Sequence, residues 1–395
     1  MSELGLLASI IASASAGSAV GFLTGLVPGL HVNNLAAATV AYAGAFMALF
    51  ALLGGATGSD DSGIMLSCFL VSALVSHNFS EAVPNTYVGI PSGDAITVLP
   101  AHRLARAGLG WTAVKASLDG NLAGVLLGAA SLVPVSLLLG PSTGLYDHVR
   151  AVMGYLIALL SAALVLSDGL VVPAARSRAA ARALRTLKVM AVFSAAGALG
   201  FVVLDTNYFA ASIPGCSTPF VPRSSLLLPL FAGLFGLPTL MLSMGAASSR
   251  DPGLSCACKV RDSRDLRGVA MSLVGGVLVG WIPGLTSGSA ATLCSSALRG
   301  PAEEADDVEG SRRFIWLYSA VSSAGAVLSV GALFTILRSR SGVMDAVSRF
   351  LSPEPVGASL PGLMAPAAIL LSMVLSALLS YSIMDLMRDR LRSIG

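Results

Sequence analysis

Two short stretches place polar side chains directly after a Pro-Gly pair inside otherwise apolar segments. The first is GFLTGLVPGLHVNNLAA (21–37), where Pro28 and Gly29 precede His31, Asn33 and Asn34. The second is GVLVGWIPGLTSGSAAT (276–292), where Pro283 and Gly284 precede Thr286, Ser287 and Ser289. All of these polar side chains are short or neutral donors, able to contact an anion without burying a full charge of their own.

A helix broken in this way exposes peptide groups that can bind ions. The half-helix after the break points its free amides toward the break and carries roughly half a positive charge there, which suits a carboxylate or a phosphate. The free carbonyls on the other side of the break suit a sodium ion. Asn and Ser at these positions can also simply cap the second half-helix, and the two roles are compatible.

The two stretches align without gaps at an offset of 255 residues, and their shared Gly and Pro residues indicate one structural unit used twice. Loop charges predict that the first copy is entered from outside the cell and the second from the cytoplasm. Inverted repeats with interrupted helices are the sequence feature that points to a transporter's substrate site. The predicted organisation is a first repeat at 1–140, connecting transmembrane helices at 141–250 and a second, inverted repeat at 251–395.

A second polar cluster occupies residues 77–103. His77 and Glu81 are four residues apart and would share one helix face. Further along lie two interrupted pieces whose polar residues are candidate ligands, Asn85, Thr86, Ser92 and Asp94. Because intramembrane ionisable groups are functional candidates by default, His77, Glu81 and Asp94 are predicted to couple transport to Na⁺ or H⁺, and the others to bind substrate. Local pairing of His77 with Glu81 at a helix end is the alternative.

Ser322 and Ser323 are secondary candidates. They lie in WLYSAVSSAGAVLSV, the inverted counterpart of the helix that carries His77. A run of small residues usually indicates tight helix packing, so this helix either packs closely or lines the same cavity.

Composition places the chain in the membrane. Of 395 residues, 55% are hydrophobic and 11% charged, and the mean hydropathy is +0.80. Soluble domains carry roughly 25% charged residues. The apolar runs reach the length needed to cross a bilayer, and the predicted segments are 5–27, 32–54, 62–79, 112–140, 146–167, 184–204, 224–246, 266–282, 286–298, 313–337 and 358–384. The fold class is therefore an all-α, multi-pass protein of the cytoplasmic membrane.

Basic loops give the orientation. The stretch 176–188, with five basic residues and no acid, is predicted to be cytoplasmic. The predicted topology conflicts with the charge rule only at 338–349, where Arg338, Arg340 and Arg349 fall on the outer side. The conflict is resolved if this segment folds back into the protein.

Other function classes lack their signatures. The five cysteines are dispersed, so no zinc site is expected, and nothing resembles a nucleic-acid surface. The chain has no H-E-x-x-H and no G-x-S-x-G motif. His31, His77 and Glu81 could meet as metal ligands, which keeps an intramembrane lipid-phosphate hydrolase as an alternative; otherwise no catalytic residue, metal or resident cofactor is predicted.

The sequence resembles the TctA family, the large membrane subunit of tripartite tricarboxylate transporters, and is most similar to its archaeal branch. The resemblance rests on both Pro-Gly stretches, on PNTYVGIPSGDAITVLPAHRLARAGLGWTAVKASLDGNLAG and on RRFIWLYSAVSSAGAVLSVGALFTILRSRSGVMDAV. It implies a permease for carboxylates, driven by a sodium or proton gradient. Such permeases are helped by a small membrane subunit and an extracytoplasmic binding protein, and the chain could also form a homo-oligomer.

Two departures from the family pattern bear on substrate and partners. The chain is shorter than typical bacterial members, and His31, Val32, Asn33 and Asn34 replace their Gly-rich run. A fainter likeness through PGLTSGSA is to a family that carries polyprenyl phosphates, so a carrier of a lipid phosphate is the second candidate function.

Overall fold

The computed structural model describes residues 3–27, 30–54, 59–89, 98–170, 179–205, 266–298, 308–351 and 360–392, together with Leu234, Met241 and Pro353. Within these residues the secondary structure is helical and contains no strand. Five helical stretches are long and apolar enough to cross a bilayer, and a bent pair of shorter helices would make a sixth span. The prediction of an all-α, multi-pass membrane protein is confirmed.

The α-helices are numbered in chain order: α1 (Glu3–Leu26), α2 (Val32–Ala41), α3 (Ala43–Gly54), α4 (Ser59–Ser80), α5 (Val98–Arg106), α6 (Gly110–Leu139), α7 (Leu145–Ala151), α8 (Met153–Leu170), α9 (Ala179–Asp205), α10 (Leu266–Trp281), α11 (Ser287–Leu298), α12 (Val308–Ile336), α13 (Gly342–Leu351), α14 (Leu360–Leu386) and α15 (Arg388–Arg392). A π-helical turn, Pro84–Val88, follows α4.

The chain forms two compact units, residues 1–143 with 232–395, and residues 144–231. In the smaller unit α8 packs against α9. The larger unit contains both Pro-Gly stretches. The predicted division into two repeats and a connecting region stays a prediction.

Helices α4 and α12 form the interior of the larger unit. In their most apolar windows, 83% and 78% of the residues are buried. Helices α1 and α14 pack on α4, while α6 and α10 pack on α12. Small side chains make this possible, because close helix approach in a membrane depends on Gly, Ala and Ser at the contacts.

Glycines bring α1 against α4 and α10 against α12. A Cβ at Gly17 or Gly21 would overlap the main chain of α4 at Phe69 or Ala73. Similarly, Gly276 and Gly280 of α10 lie against α12. In each pair the contacting residue numbers rise together, so the two helices run parallel.

Serines join α14 to α4. Ser376 Oγ donates to the Ser72 carbonyl at 2.7 Å, and Ser380 Oγ donates to Ser76 Oγ at 2.8 Å. On the other side, the hydroxyls of Ser117 on α6 and Ser319 on α12 are 2.9 Å apart. At both interfaces the serine hydroxyls form hydrogen bonds within the protein, because the interior of a bilayer offers them no water.

Two predicted spans differ from the structure, and a third is not described. The segment 32–54 is two helices, α2 and α3, bent by 91° at Tyr42. The segment 146–167 is divided at Val152 into α7 and α8. The segment 224–246 lies outside the described residues apart from Leu234 and Met241. Neither the bend at Tyr42 nor the division at Val152 contains a proline, and both lie in continuously apolar sequence. Neither could therefore be recognised from the sequence.

Candidate functional site

The first break separates α1, which ends at Leu26, from α2, which begins at Val32. Pro28 and Gly29 lie outside the described residues. His31 is the N-cap residue of α2: its backbone is extended and its Nδ1 accepts a hydrogen bond from the Asn33 amide at 3.1 Å. His31 therefore satisfies one of the amides that the break leaves open.

The second break repeats this geometry. Helix α10 ends at Trp281 and α11 begins at Ser287, each 255 residues after its counterpart at the first break. Gly284 has a φ of +81°, a left-handed conformation that favours glycine. Thr286 caps α11, since its Oγ1 accepts from the Ser289 amide at 3.2 Å. Pro283 lies in the same turn.

A histidine cluster adjoins the first break. The His31 and His77 rings are 5.2 Å apart between centroids. His77 lies beside Thr24, with its Nδ1 3.1 Å from Oγ1, and its Nε2 is 3.5 Å from Glu81 Oε2. The structure thus brings the predicted pair His77 and Glu81 together next to His31. In the described part of the chain, no three His, Cys, Asp or Glu side chains are placed to hold a metal ion.

A small cavity lies next to this cluster, between the end of α4, the π-helical turn, α5, α6 and α12. Four of the predicted residues line it, namely Glu81, Asn85, Thr86 and Ser322. Ser323 lies one residue further on and donates to Asn121 Oδ1 at 2.8 Å. Predicted substrate and coupling residues thus share one cavity. Ser92 and Asp94 lie outside the described residues.

Residues 340–342, at the end of the loop after α12 and the start of α13, lie near both breaks. The Arg340 guanidinium donates to the Trp281 carbonyl at the end of α10. Two residues later, a Cβ at Gly342 would meet Asn33 Oδ1 at 3.0 Å. Arg340 thus binds a carbonyl at the end of α10, where helix carbonyls lack intrahelical donors.

Helix α13 confirms that this segment folds back into the protein. It packs against α4 and α2 and buries Val343, Met344, Ala346 and Val347. Arg340 is half-buried in the loop between α12 and α13 and donates to the Trp281 carbonyl, whereas Arg338 and Arg349 are exposed. The return therefore accounts for one of the three mismatched charges.

Sequence reasoning missed Arg340 and Asn121 as site residues. Arg340 carried a signal, the charge on the wrong side of the membrane. Asn121 carried only a weak one, as an amide within an apolar helix. Its Nδ2 donates to the Asn78 carbonyl at 2.8 Å, so it ties α6 to α4.

Asp119 is engaged in a local network. It lies 2.9 Å from Lys115 Nζ and accepts from the Tyr381 hydroxyl at 2.8 Å. Asp119 and Lys115 thereby fasten α6 to α14 through Tyr381.

Broken helices, a small cavity between packed helices and an arginine bound at the second break are found here in a multi-pass, all-α membrane protein. The Tripartite tricarboxylate transporter TctA family model matches residues 11–392. The chain belongs to that family. It is therefore a component of a transport system, in a family whose members work with tripartite partner proteins.

A similar curated protein is an uncharacterized protein of Methanocaldococcus jannaschii. It is 23% identical over 330 residues, which cover 83% of this chain and 69% of that one. No solved structure matches the chain significantly.

Proposed function

We propose that the chain is a secondary active permease that moves an organic anion, a carboxylate, across the cytoplasmic membrane by alternating access. The anion binds between the two breaks, and Na⁺ or H⁺ drives the cycle. Family membership supports transport in general, and the geometry of the breaks supports the anion. The family's working mode further supports a small membrane subunit and an extracytoplasmic binding protein as partners.

The directions of the helices support inverted repeats. Asn121 contacts Asn78, and a Cβ at Gly110 would meet the Tyr87 ring, so residue numbers on α6 rise as those on α4 and its π-helical turn fall. Helices α4 and α6 are therefore antiparallel. Since α1 runs with α4, and α10 runs with α12 and α6, the two broken segments run in opposite directions.

The packing registers support the same relation. In the first copy Gly21 lies against Ala73, and in the second its equivalent Gly276 lies against Ala324. Four residues on, Gly25 lies against His77, and its equivalent Gly280 against Leu328. A shared register at successive contacts is what two copies of one folding unit would give.

The two breaks come within reach of one segment. Arg340 binds the end of α10, and Gly342 adjoins Asn33 at the start of α2. Ser323 is linked through Asn121 to Asn78 near the end of α4, and Ser329 lies against Gly280 near the end of α10. These two serines are six residues apart on α12, a rise of about 9 Å at ~1.5 Å per residue. An anion of carboxylate size could therefore meet amides from both half-helices together with the Arg340 guanidinium, whose fork matches a carboxylate.

The observation that carries the proposal is this contact of residues 340–342 with both breaks. A thermal-shift screen of purified protein against di- and tricarboxylates and polyprenyl phosphates, with and without sodium, tests it. Stabilisation by a carboxylate supports the permease. The absence of stabilisation by any of these anions would contradict an anion site and reopen the hydrolase.

One observation favours the lipid-phosphate carrier as a second candidate. Leu23, Val27 and Leu30 beside the first break expose 63%, 48% and 48% of their surface. A phosphate at the break would find room for an isoprenoid chain along this apolar face. Stabilisation by polyprenyl phosphate alone would select this function.

A further inference from the structure

Arginines from two distant parts of the chain lie at one end of the larger unit. It is the end at which α4 and α14 finish and α6 begins, because α14 runs with α4 and α6 runs against it. Helix α5 precedes α6 here, and α15 follows α14. The arginines of these two short helices, here called the basic collar, are Arg103, Arg106, Arg388, Arg390 and Arg392.

The π-helical turn after α4 holds the two helices of the collar in place. The Tyr87 hydroxyl donates to the Leu391 carbonyl of α15 at 2.7 Å, and the Leu391 side chain is buried. On the other side of the turn, His102 Nδ1 of α5 lies 3.2 Å from the Thr86 carbonyl oxygen. Both helices are therefore fastened to one turn, and their arginines are carried on ordered backbone.

A second cavity adjoins α15. Its volume is about 180 Å³ and its surface is mostly polar. Arg392, Tyr87, Trp111 and Thr112 line it together with the turn between α5 and α6. Cavities for drug-sized ligands measure roughly 300–1,000 Å³, so this space suits a single small headgroup.

The charges around this cavity favour an anion. None of the described residues that line it is acidic, and within α5 and α15 as described Asp389 is the only acid against five arginines. Lys115 and Asp119 close by form an ion pair at 2.9 Å, so they add no net charge. The planar fork of Arg392 matches the oxygens of a phosphate, and the Thr112 hydroxyl offers a further donor.

The position of the collar points to a lipid as the carrier of that phosphate. Trp111 and Tyr87 are half-buried at the cavity, and tryptophan and tyrosine are enriched where a membrane protein meets the headgroups. Directly before α15, Leu386 exposes 86% of its surface, as a side chain bordered by lipid does. An excess of arginine marks the cytoplasmic side, whose leaflet carries the anionic lipids.

We propose that the basic collar and its cavity bind the phosphate of an anionic phospholipid. Arg392 contacts the phosphate inside the cavity, and the other arginines attract the charged headgroup to it. The cavity shares no residue with either helix break, so the site is separate from the proposed anion site and does not rest on it. A bound headgroup fastens α15 against the turn that carries Tyr87 and thereby stabilises this end of the unit.

The test uses the purified full chain in nanodiscs of phosphatidylcholine with increasing amounts of phosphatidylglycerol. Tm is measured at each composition, and the phosphatidylglycerol that each chain retains in detergent is counted by native mass spectrometry. We expect phosphatidylglycerol to raise Tm saturably, by roughly 2 °C or more, and at least one molecule to be retained.

Inorganic phosphate added to phosphatidylcholine nanodiscs distinguishes the two sources of phosphate. It should leave Tm unchanged, because it lacks the acyl chains that hold a lipid at this surface. Equal stabilisation by inorganic phosphate would assign the cavity to a soluble ligand and contradict the lipid. A Tm that does not respond to phosphatidylglycerol would refute the site.

A pair of double variants locates the site. Arg388→Gln with Arg392→Gln should weaken phosphatidylglycerol binding about 25-fold, since each basic residue near an anionic surface contributes about fivefold. The matched control is Arg338→Gln with Arg349→Gln, which removes the same charge at the opposite end of the bundle, where Phe350 meets Gly63 near the start of α4.

All four arginines are exposed, so both double variants should unfold at the wild-type Tm in phosphatidylcholine alone. The control should keep the wild-type response to phosphatidylglycerol. Equal losses in the two double variants would show general attraction of a charged protein to a charged bilayer, and full binding by Arg388→Gln with Arg392→Gln would remove the collar as the site.

Discussion

His31, Thr286 and Arg340 each satisfy backbone groups that the helix breaks leave open. His31 and Thr286 cap the half-helices after the breaks, and Arg340 binds the carbonyl at the end of α10. The polar residues next to the breaks thus serve the fold as well as any ligand. Capping and anion binding are compatible, since a cap uses one or two amides and leaves others in the first turn.

Arg340 is the residue whose replacement tests the anion site at the breaks most directly. Arg340→Ala should weaken binding of a carboxylate by about 10- to 100-fold, the effect of losing a hydrogen bond to a charged group. Arg340→Lys should recover only part, because an ammonium keeps the charge but lacks the planar fork. The measurement is carboxylate affinity by calorimetry on purified protein.

Arg338→Ala serves as the control for that experiment, since Arg338 is exposed and lies two residues earlier. Its affinity should stay close to that of the wild type. Equal losses in the two variants would show a general charge effect and argue against a specific role of Arg340.

At the scale of helices, the sequence predicted the breaks well. The alignment of the two Pro-Gly stretches implied matching helix ends, and Leu26 and Trp281 end their helices at equivalent positions. Proline and glycine act locally, so their effect can be read from the chain alone. The bend at Tyr42 could not be predicted in this way, because no proline lies there and the bend depends on the helices against which α2 and α3 pack.

The small cavity beside the histidine cluster likewise combines residues that the sequence predicts with a residue that only the structure reveals. Glu81 and Asn85 were candidates by residue type, but Asn121 joins them only through the packing of α6 on α4 and α12. Contacts between residues far apart in sequence depend on register, which neither hydropathy nor spacing determines. Some residues of the candidate site could therefore be predicted from the sequence, but which of them come together in space could not.

Helix contact through glycine gives a prediction with a matched control. Gly21→Ala should lower stability by about 1–3 kcal/mol, because its Cβ would overlap the Ala73 main chain. Gly44→Ala, in α3 with nothing within 4 Å, should be neutral or stabilise by up to ~1 kcal/mol. Thermal unfolding in detergent measures both; indistinguishable Tm values would argue against tight packing of α1 on α4.

The turn at the second break gives another prediction. Gly284→Val places a β-branched residue at a φ of +81°, a strain of about 1–2 kcal/mol. We expect the protein to insert in the membrane and remain folded but to lose transport in proteoliposomes. Full transport by this variant would show that the shape of the break is not needed.

For the whole molecule, the arrangement exchanges helices between the two predicted repeats. Helix α6 belongs to the first repeat in sequence but packs on α12, and α14 belongs to the second but packs on α4. Each half therefore completes the other's interior. Such interlocking favours movement of large packed bodies over independent motion of single helices, which fits alternating access.

The central claim is that two oppositely directed breaks hold one anion. Calorimetric titration of a stabilising carboxylate into wild-type protein, Asn34→Ala and Ser289→Ala measures it directly. We predict one anion per chain and a loss of affinity of about tenfold or more in each variant, since each removes a donor to the same charged ligand. Two anions per chain, or full affinity in either variant, would contradict the shared site.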